Sequence, residues 1–291
     1  MPSKQSTWLL LASVGLTLGA CGGGGGGSSG AAPPIQVTGP GGGATSTPTT
    51  PTPPAGLVYP KALSGVVSPT DFAFLDSLET KAQGTRIPAA ALTLRWLGQP
   101  ATYGLKIAGI GEGELRQNSA NDPALQLISP SGQVLMTGLD LPQARGRYAG
   151  LLYRWGDPFI AAAFGVPTGA ANIPTTGMKT YSPVPQGYNL KINVDFAARR
   201  ITGTIDLSWA DAWGPYPPIT YALTPTSFAA GETSFSVPFA IPGAPSEGLV
   251  TARFAGPNAE ELMVSWRGQA KSIYDNSWET QGGVTVLSGA P

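Results

Sequence analysis

The chain contains no histidine, and its 291 residues include a single cysteine. The absence of histidine excludes Ser-His-Asp triads, Cys-His nucleophiles and zinc sites built on imidazole. One cysteine cannot form an intrachain disulfide, so the apolar core alone must stabilise the fold. An enzyme of this composition would have to work with carboxylates, lysine, tyrosine or serine.

Charged residues are also scarce. They make up 12% of the chain, and the formal net charge is zero. The sequence has no basic stripe for nucleic acid, and no charge asymmetry that would steer a partner electrostatically. Nucleic acid is therefore not an expected partner.

Paired carboxylates are the one hydrolytic chemistry that this composition leaves open, because glycoside hydrolysis needs only two of them. The neighbouring acidic residues are Glu112 with Glu114, Glu260 with Glu261, and Asp206 with Asp211. Glu112 and Glu114 flank Gly113 in a glycine-rich run that favours a turn or bulge. We expect no catalytic residue among them.

The N-terminal segment has the organisation of an export signal. Lys4 precedes an apolar stretch over 8–18, which is too short to span a bilayer, and small residues then lead to Cys21. This run resembles the lipobox of bacterial lipoproteins, in which signal peptidase II cuts before the cysteine and lipid is attached to it. The sequence predicts a signal peptide over 1–20 and lipidation of Cys21. The alternative is a secretory peptide followed by a chance cysteine.

Residues 21–56 predict a flexible tether behind that anchor. Positions 22–27 are six glycines, and the rest is mostly Gly, Ser, Ala, Thr and Pro, with Ile35 and Val37 as the bulky apolar residues. Such a segment cannot bury enough surface to offset its ordering entropy. A coil of this length spans roughly 30–40 Å, enough to lift a folded domain clear of a membrane surface.

From residue 57 onward, apolar and polar residues alternate in short segments that are bounded by glycine and proline. This pattern is typical of β-strands with one buried face. The clearest hairpin joins 190–196 to 201–207 through a turn at 197–200, and a second joins 125–128 to 133–136. A short helix beginning at Pro69 is also predicted, because Ser68 could cap it and Phe72, Leu75 and Leu78 have helical spacing.

Eight strands are predicted in the C-terminal half, a number that closes into a small barrel filled by side chains. Their approximate ranges are 147–154, 158–164, 177–183, the two strands of the 190–207 hairpin, 233–239, 249–254 and 262–269. Periodicity alone does not separate such a barrel from a sandwich.

Three motifs in this region resemble the barrel domain of transferrin-binding protein B and its relatives. They are Gly165-Val-Pro-Thr168 with Ile173-Pro-Thr-Thr-Gly-Met-Lys-Thr-Tyr181, the hairpin Leu190-Lys-Ile-Asn-Val-Asp-Phe196 with Ile201-Thr-Gly-Thr-Ile205, and Val250-Thr-Ala-Arg-Phe-Ala-Gly-Pro-Asn-Ala-Glu-Glu-Leu262. In the last motif we expect Ala259 and Leu262 to pack the turn against the domain, with Glu260 and Glu261 facing water.

The resemblance implies an all-β fold, in which a small β-rich handle over 57–144 precedes an eight-stranded antiparallel barrel over 145–291. It also implies a cell-surface lipoprotein that binds host iron, haem or other host proteins without catalysis. The chain departs from the family in having room for only one handle-plus-barrel lobe. Residues 263–264 replace a glycine-rich continuation, and 278–291 do not match the expected ending. Without histidine, no imidazole could ligate haem.

No family binding residue maps onto this chain, so candidates come from composition. Trp209, Trp213 and Tyr216 lie in an aromatic, proline-rich stretch that we expect to form a loop at one barrel rim. They could anchor a partner or a sugar, or they could cover the barrel end. Arg199 and Arg200 are expected in a solvated turn.

These observations predict a lipid-anchored cell-envelope binding protein, with no cofactor, no metal site, and a protein or small molecule as its unknown ligand. The outer-membrane surface is the expected location, and the periplasmic face is the alternative. Two other functions remain open: a structural or assembly lipoprotein without a soluble ligand, and a carboxylate-based hydrolase.

Overall fold

Alternating side chains build two antiparallel sheets, as the period-two pattern predicts. The computed structural model describes residues 63–66, 69–75, 77–79, 85–87, 89–98, 103–119, 122–141, 146–154, 159–183, 190–207, 210–211, 214–215, 219–271 and 277–290. This part of the chain contains no α-helix, only 3₁₀ helices at Ala89–Ala91 and Ala170–Asn172. The predicted all-β fold is confirmed.

The first sheet contains ten strands. They are β1 (Thr70–Phe74), β2 (Ser77–Glu79), β3 (Thr85–Ile87), β4 (Leu92–Trp96), β5 (Tyr103–Ile107), β6 (Gly111–Ser119), β7 (Asp122–Ile128), β8 (Val134–Asp140), β9 (Ala149–Arg154) and β10 (Ile160–Gly165). Strand β1 pairs with β4 on one side and with β10 on the other, so the sheet curls back on itself. Its core contains Leu94, Leu105 and Leu127, none of which is exposed.

The helix predicted from Pro69 onward is wrong, because this segment forms β1 and β2. Phe72 and Phe74 are both buried in the first core, and their spacing of two residues suits a strand. Strands β1 and β2 follow one another along the same edge of β10, where Leu75 N donates to Ala163 O at 2.9 Å. Pairing with β10 therefore overrides the helical spacing of residues 72, 75 and 78.

The second sheet forms the barrel. Its strands are β11 (Met178–Pro183), β12 (Leu190–Asp195), β13 (Arg200–Leu207), β16 (Ile219–Ala222), β17 (Thr226–Ser227), β18 (Ser234–Phe239), β19 (Gly248–Ala255), β20 (Glu261–Lys271) and β21 (Trp278–Ala290), while β14 (Ala210–Asp211) and β15 (Gly214–Pro215) pair separately. Eight of these run in the order β16-β13-β12-β11-β21-β20-β19-β18. Leu223 bridges Phe239, and Thr224 N donates to Pro238 O at 2.8 Å, which closes the ring.

The eight-stranded barrel is confirmed, but two of its predicted strands lie elsewhere. The segments near 147–154 and 158–164 form β9 and β10 of the first sheet, and β16 and β21 take their places. The chain therefore passes from the first sheet to the barrel between Gly165 and Met178, not near residue 145. Strands β9 and β10 were misassigned because both of their faces are apolar, which gives no sign of the sheet to which they belong.

Both predicted hairpins are confirmed. In the barrel, β12 and β13 pair from Leu190↔Ile205 to Asp195↔Arg200, with Arg199 and Arg200 exposed at the turn. In the first sheet, the turn between β7 and β8 is closed by Ser129 N donating to Gln133 O at 2.8 Å. The barrel interior is filled by buried side chains that include Phe239, Phe254 and Trp266.

The two sheets pack directly on each other through a third apolar cluster. Small side chains of β9 and β10, among them Ala149, Ala161 and Ala163, meet Met263 of β20 and Val284 of β21. Because these strands also face their own cores, β10 is buried along its whole length. The alanines allow the two backbones to approach closely, and the contact excludes water.

Candidate functional site

The aromatic candidates of the sequence lie outside the described residues. These are Trp209, Trp213 and Tyr216, and the same holds for Cys21. The backbone around the aromatics contains the short ladder of β14 and β15, in which Ala210 pairs with Pro215 and Asp211 with Gly214. The rim loop and a role for its aromatic side chains stay predictions.

A groove of about 780 Å³ lies on the outer face of the first sheet. We call it the Gly104 groove, because Gly104 of β5 lies among its lining residues and has no side chain to fill it. The turn at 129–132 forms one wall, and Leu97, which is 39% exposed, lines another part. Ser129 Oγ accepts from Gln133 N at 3.0 Å, which stiffens that wall. The volume is within the range of small-ligand and peptide sites.

The alternation of β4, β5 and β6 explains why the groove is polar. Their apolar residues point into the first core, so the intervening residues form the outer face. Pairing places Arg95 opposite Gly104, and Gly104 opposite Glu114. In the next row, Lys106 lies opposite Glu112. The strands thus present charges of both signs around a glycine.

Two ion pairs lie on this surface, and their side chains remain exposed to solvent. Arg95 Nε is 2.9 Å from Asp71 Oδ1, and the two side chains are 56% and 71% exposed. Arg116 Nη2 is 2.8 Å from Glu114 Oε2. Exposed pairs of this kind contribute little to stability, typically about 0–1 kcal/mol. Their charges therefore remain accessible to a partner that approaches the groove.

The three carboxylate pairs have different surroundings in the structure. Glu112 and Glu114 lie on the same face of β6 and line the Gly104 groove, in a strand and not in the turn or bulge expected there. Glu261 is buried at the junction of the two sheets, whereas Glu260 binds Asn258 in its own turn. Asp206 is half-buried on β13, and the Asp211 side chain lies outside the described part of the structure.

The residues that carry the family resemblance meet where the first sheet joins the barrel. Thr168 Oγ1 donates to Gly256 O at 2.6 Å, and Tyr181 Oη donates to Ala259 O at 2.7 Å. Lys179 Nζ donates to Asn258 O at 2.8 Å and also to Ala259 O. The first and third motifs thus interlock, and their shared residues have a structural role.

Burial controls the ionisation of the groups at this junction. It raises the pKa of the Tyr181 hydroxyl well above its usual range, and the Glu260 charge adds to that rise. Burial also lowers the pKa of Lys179, against the opposing effect of Glu260. Tyr181 therefore acts as a neutral hydrogen-bond donor at this site.

The expectation that Glu261 faces water is wrong. Its side chain is only 4% exposed and lies between β20 and the start of β9. Its carboxylate accepts from Tyr148 N at 2.9 Å, from Ala149 N at 2.8 Å, and from Arg147 N. Ala259 and Leu262 are fully buried, as predicted, and Glu260 binds Asn258 within its own turn.

The described residues include neither a cluster of metal-ligating side chains nor a helix that could cross a membrane. No group of three or more His, Cys, Asp or Glu side chains there is arranged to hold a metal ion. No helix in this part of the chain is long and apolar enough to cross a membrane.

The chain matches no family model and no curated protein at the level of sequence. Solved structures with a similar arrangement include a mutant of the vaccine antigen transferrin binding protein B from Haemophilus parasuis Hp5. It is 13% identical, with a TM-score of 0.38, over 77% of this chain and 45% of that chain. Isotype 1 transferrin binding protein B from serogroup B Neisseria meningitidis is 16% identical, with a TM-score of 0.36, over 72% of this chain and 51% of that chain.

A third structure, of intact Ap-TbpB with its N and C lobes, is 15% identical, with a TM-score of 0.34, over 71% of this chain and 53% of that chain. The chain thus spans about half the length of the structures that it matches.

Proposed function

We propose that the protein is a lipid-anchored binding protein of the bacterial cell envelope, exposed on the outer-membrane surface. The N-terminal sequence supports the anchor, because the lone cysteine directly follows an apolar signal and directly precedes a glycine-rich tether. One acyl chain binds a membrane only marginally, so stable anchoring would require further lipid on the same cysteine.

The Gly104 groove is the observation that carries the binding role. It is concave, it is open to solvent, and it combines an apolar side chain with charges of both signs. Interfaces commonly place an apolar anchor in the centre and charged groups at the rim. A protein segment with an apolar residue between charged neighbours would complement this surface. An iron- or haem-carrying host protein, as the family resemblance implies, is the proposed class of ligand.

The anchor is tested by replacing Cys21 with alanine. We expect the variant to leave the membrane fraction and appear in the soluble fraction, because the thiol that would carry the lipid is gone. The measurement is fractionation of cells followed by immunoblotting, with a Ser28→Ala variant as the control that should remain membrane-bound. Unchanged membrane association of the Cys21 variant would contradict the anchor.

The groove is tested by placing a tryptophan at Gly104. A Cβ at this position would contact Leu97 at 3.6 Å, which is ordinary van der Waals distance, so the fold should tolerate the change. The indole would fill the groove and block a ligand. We expect the variant to lose, by at least about tenfold, whatever host-fluid protein the wild-type chain retains, because filling a binding pocket removes its central contacts.

The matched control is Lys191→Trp, which adds the same side chain to an exposed position of barrel strand β12. It should retain the ligand fully. Equal retention by the Gly104 variant and the wild type would rule out the groove as the binding surface. Loss of retention in the control would instead place binding on the barrel.

A further inference from the structure

A buried carboxylate joins the barrel to the first sheet. Glu261 begins β20 of the barrel, whereas the three amides that it accepts from belong to 147–149, where β9 of the first sheet begins. Two amides bind Oε2 and one binds Oε1. Three converging N–H donors offset part of the cost of burying this charge.

The backbone around the carboxylate leaves space for it. A Cβ at Gly146 would collide with Glu261 Oε2 and would also lie 2.7 Å from Ala149 O. Gly146 therefore leaves the space that the carboxylate occupies. On the barrel side, Gly256 has a φ of +88°, and its N–H donates to Val166 O at 2.8 Å, which holds the turn before Glu261 in place.

Other segments bind the carbonyl groups at this end of β9, since Arg147 O accepts from Gly65 N at 2.8 Å and Tyr148 O accepts from Val166 N at 2.9 Å. Among the described residues, β9 pairs with β8 at Leu139↔Arg154 and Asp140↔Tyr153, both at its far end. At its start, β9 pairs with β10, and the N–H of Ala149 donates to the Glu261 carboxylate. Loss of the carboxylate would leave three backbone donors without this acceptor, Ala149 N in a buried position and the other two partly buried. Folded proteins avoid unpaired donors in buried positions.

We infer that Glu261 is a latch that holds the start of β9 of the first sheet on β20 of the barrel. Its carboxylate is the acceptor for the backbone N–H groups of 147–149. Burial raises the pKa of this carboxyl, and the three amide donors counteract that rise. The latch is independent of what the protein binds.

The latch is tested by hydrogen exchange of the full-length chain carrying Glu261→Gln. A glutamine has one acceptor oxygen, so one or two of the three amides lose their acceptor whichever way the side-chain amide is turned. We expect exchange in peptides covering 146–154 to accelerate at least about tenfold, the equivalent of one hydrogen bond, with a smaller effect in β10. Peptides from β12 and β13 should not change.

The control is Glu260→Gln, the neighbouring carboxylate that accepts hydrogen bonds from Asn258 in its own turn, and it should exchange like the wild type over 146–154. Gly146→Ala is a second test, because it displaces the carboxylate without removing it, and it should reproduce the local acceleration. Wild-type exchange over 146–154 in both Glu261→Gln and Gly146→Ala would overturn the latch. Equal acceleration in every strand of both sheets would also overturn it, because Glu261 would then be a general determinant of stability.

Discussion

Replacement of Gly203 by valine should destabilise the barrel by at least about 3 kcal/mol, the upper end of what overpacking a tightly packed interior usually costs. Gly203 lies opposite Ile192 in the β12–β13 hairpin. A Cβ there would collide with the backbone carbonyl oxygen of Lys191, and it would also approach Ile192 Cα and Leu223 Cδ1 to 3.1 Å. Backbone cannot move aside as a flexible side chain can, so the hairpin itself must distort.

The measurement is urea unfolding followed by far-ultraviolet circular dichroism. Thr202→Val is the matched control, because it introduces the same side chain one residue earlier on the other face of β13. That change should alter the free energy of unfolding by less than about 1 kcal/mol, the span of strand propensities. If both variants had the same stability, the close approach at Gly203 would be contradicted.

A charge placed between the two sheets should have an effect of similar size. Ala163 of β10 is fully buried in the apolar cluster that includes Met263 and Val284. In Ala163→Glu, the carboxylate would enter a dry contact made of alkyl groups. We expect a loss of about 3–5 kcal/mol, as for other uncompensated buried charges. The midpoint of thermal unfolding would fall accordingly.

Ala222→Glu provides the comparison for this variant. Ala222 lies on barrel strand β16 and is exposed, so its glutamate remains in water. Surface changes of this kind usually stay within about 0.5 kcal/mol. Equal stability of the two glutamate variants would mean that the sheets do not pack through β10.

The fold was predictable where one face of a strand meets water. The alternation in 190–207 specifies both strands, their turn and their register, because a shift of one residue would expose the apolar face. The presence of glycine at position 203 of the hairpin motif is explained by the structure, because the β12 backbone passes too close for a side chain. The predicted number of eight barrel strands is right, but two of the segments counted form β9 and β10 of the first sheet.

Prediction failed where both faces of a strand are covered. Strands β9 and β10 face the first core on one side and the barrel on the other, so their sequence does not say which sheet they join. The helix predicted near Phe72 failed for a related reason, because pairing with β10 decides its conformation. Long-range contacts of this kind leave no periodic signal.

The candidate sites show the same division between local and long-range information. The sequence predicts an exposed Glu261 because its neighbours form a polar turn. In the structure, residues 147–149 of the first sheet pack on this side chain and bury it. The Gly104 groove had a weak signal: a glycine among charged residues on the polar face of consecutive strands. Of the motifs that carry the family resemblance, the first and third meet at the sheet junction and the second is the β12–β13 hairpin, so they report on the fold and identify no ligand.

The most direct examination of surface anchoring is protease shaving of intact cells, with mass spectrometry of the released peptides and a periplasmic protein as the lysis control. Release of peptides from 57–291 while the periplasmic protein stays intact is the expected result, and it would place the Gly104 groove in reach of host proteins. Complete protection of 57–291 together with the periplasmic protein would contradict a surface location and place the folded domain inside the envelope.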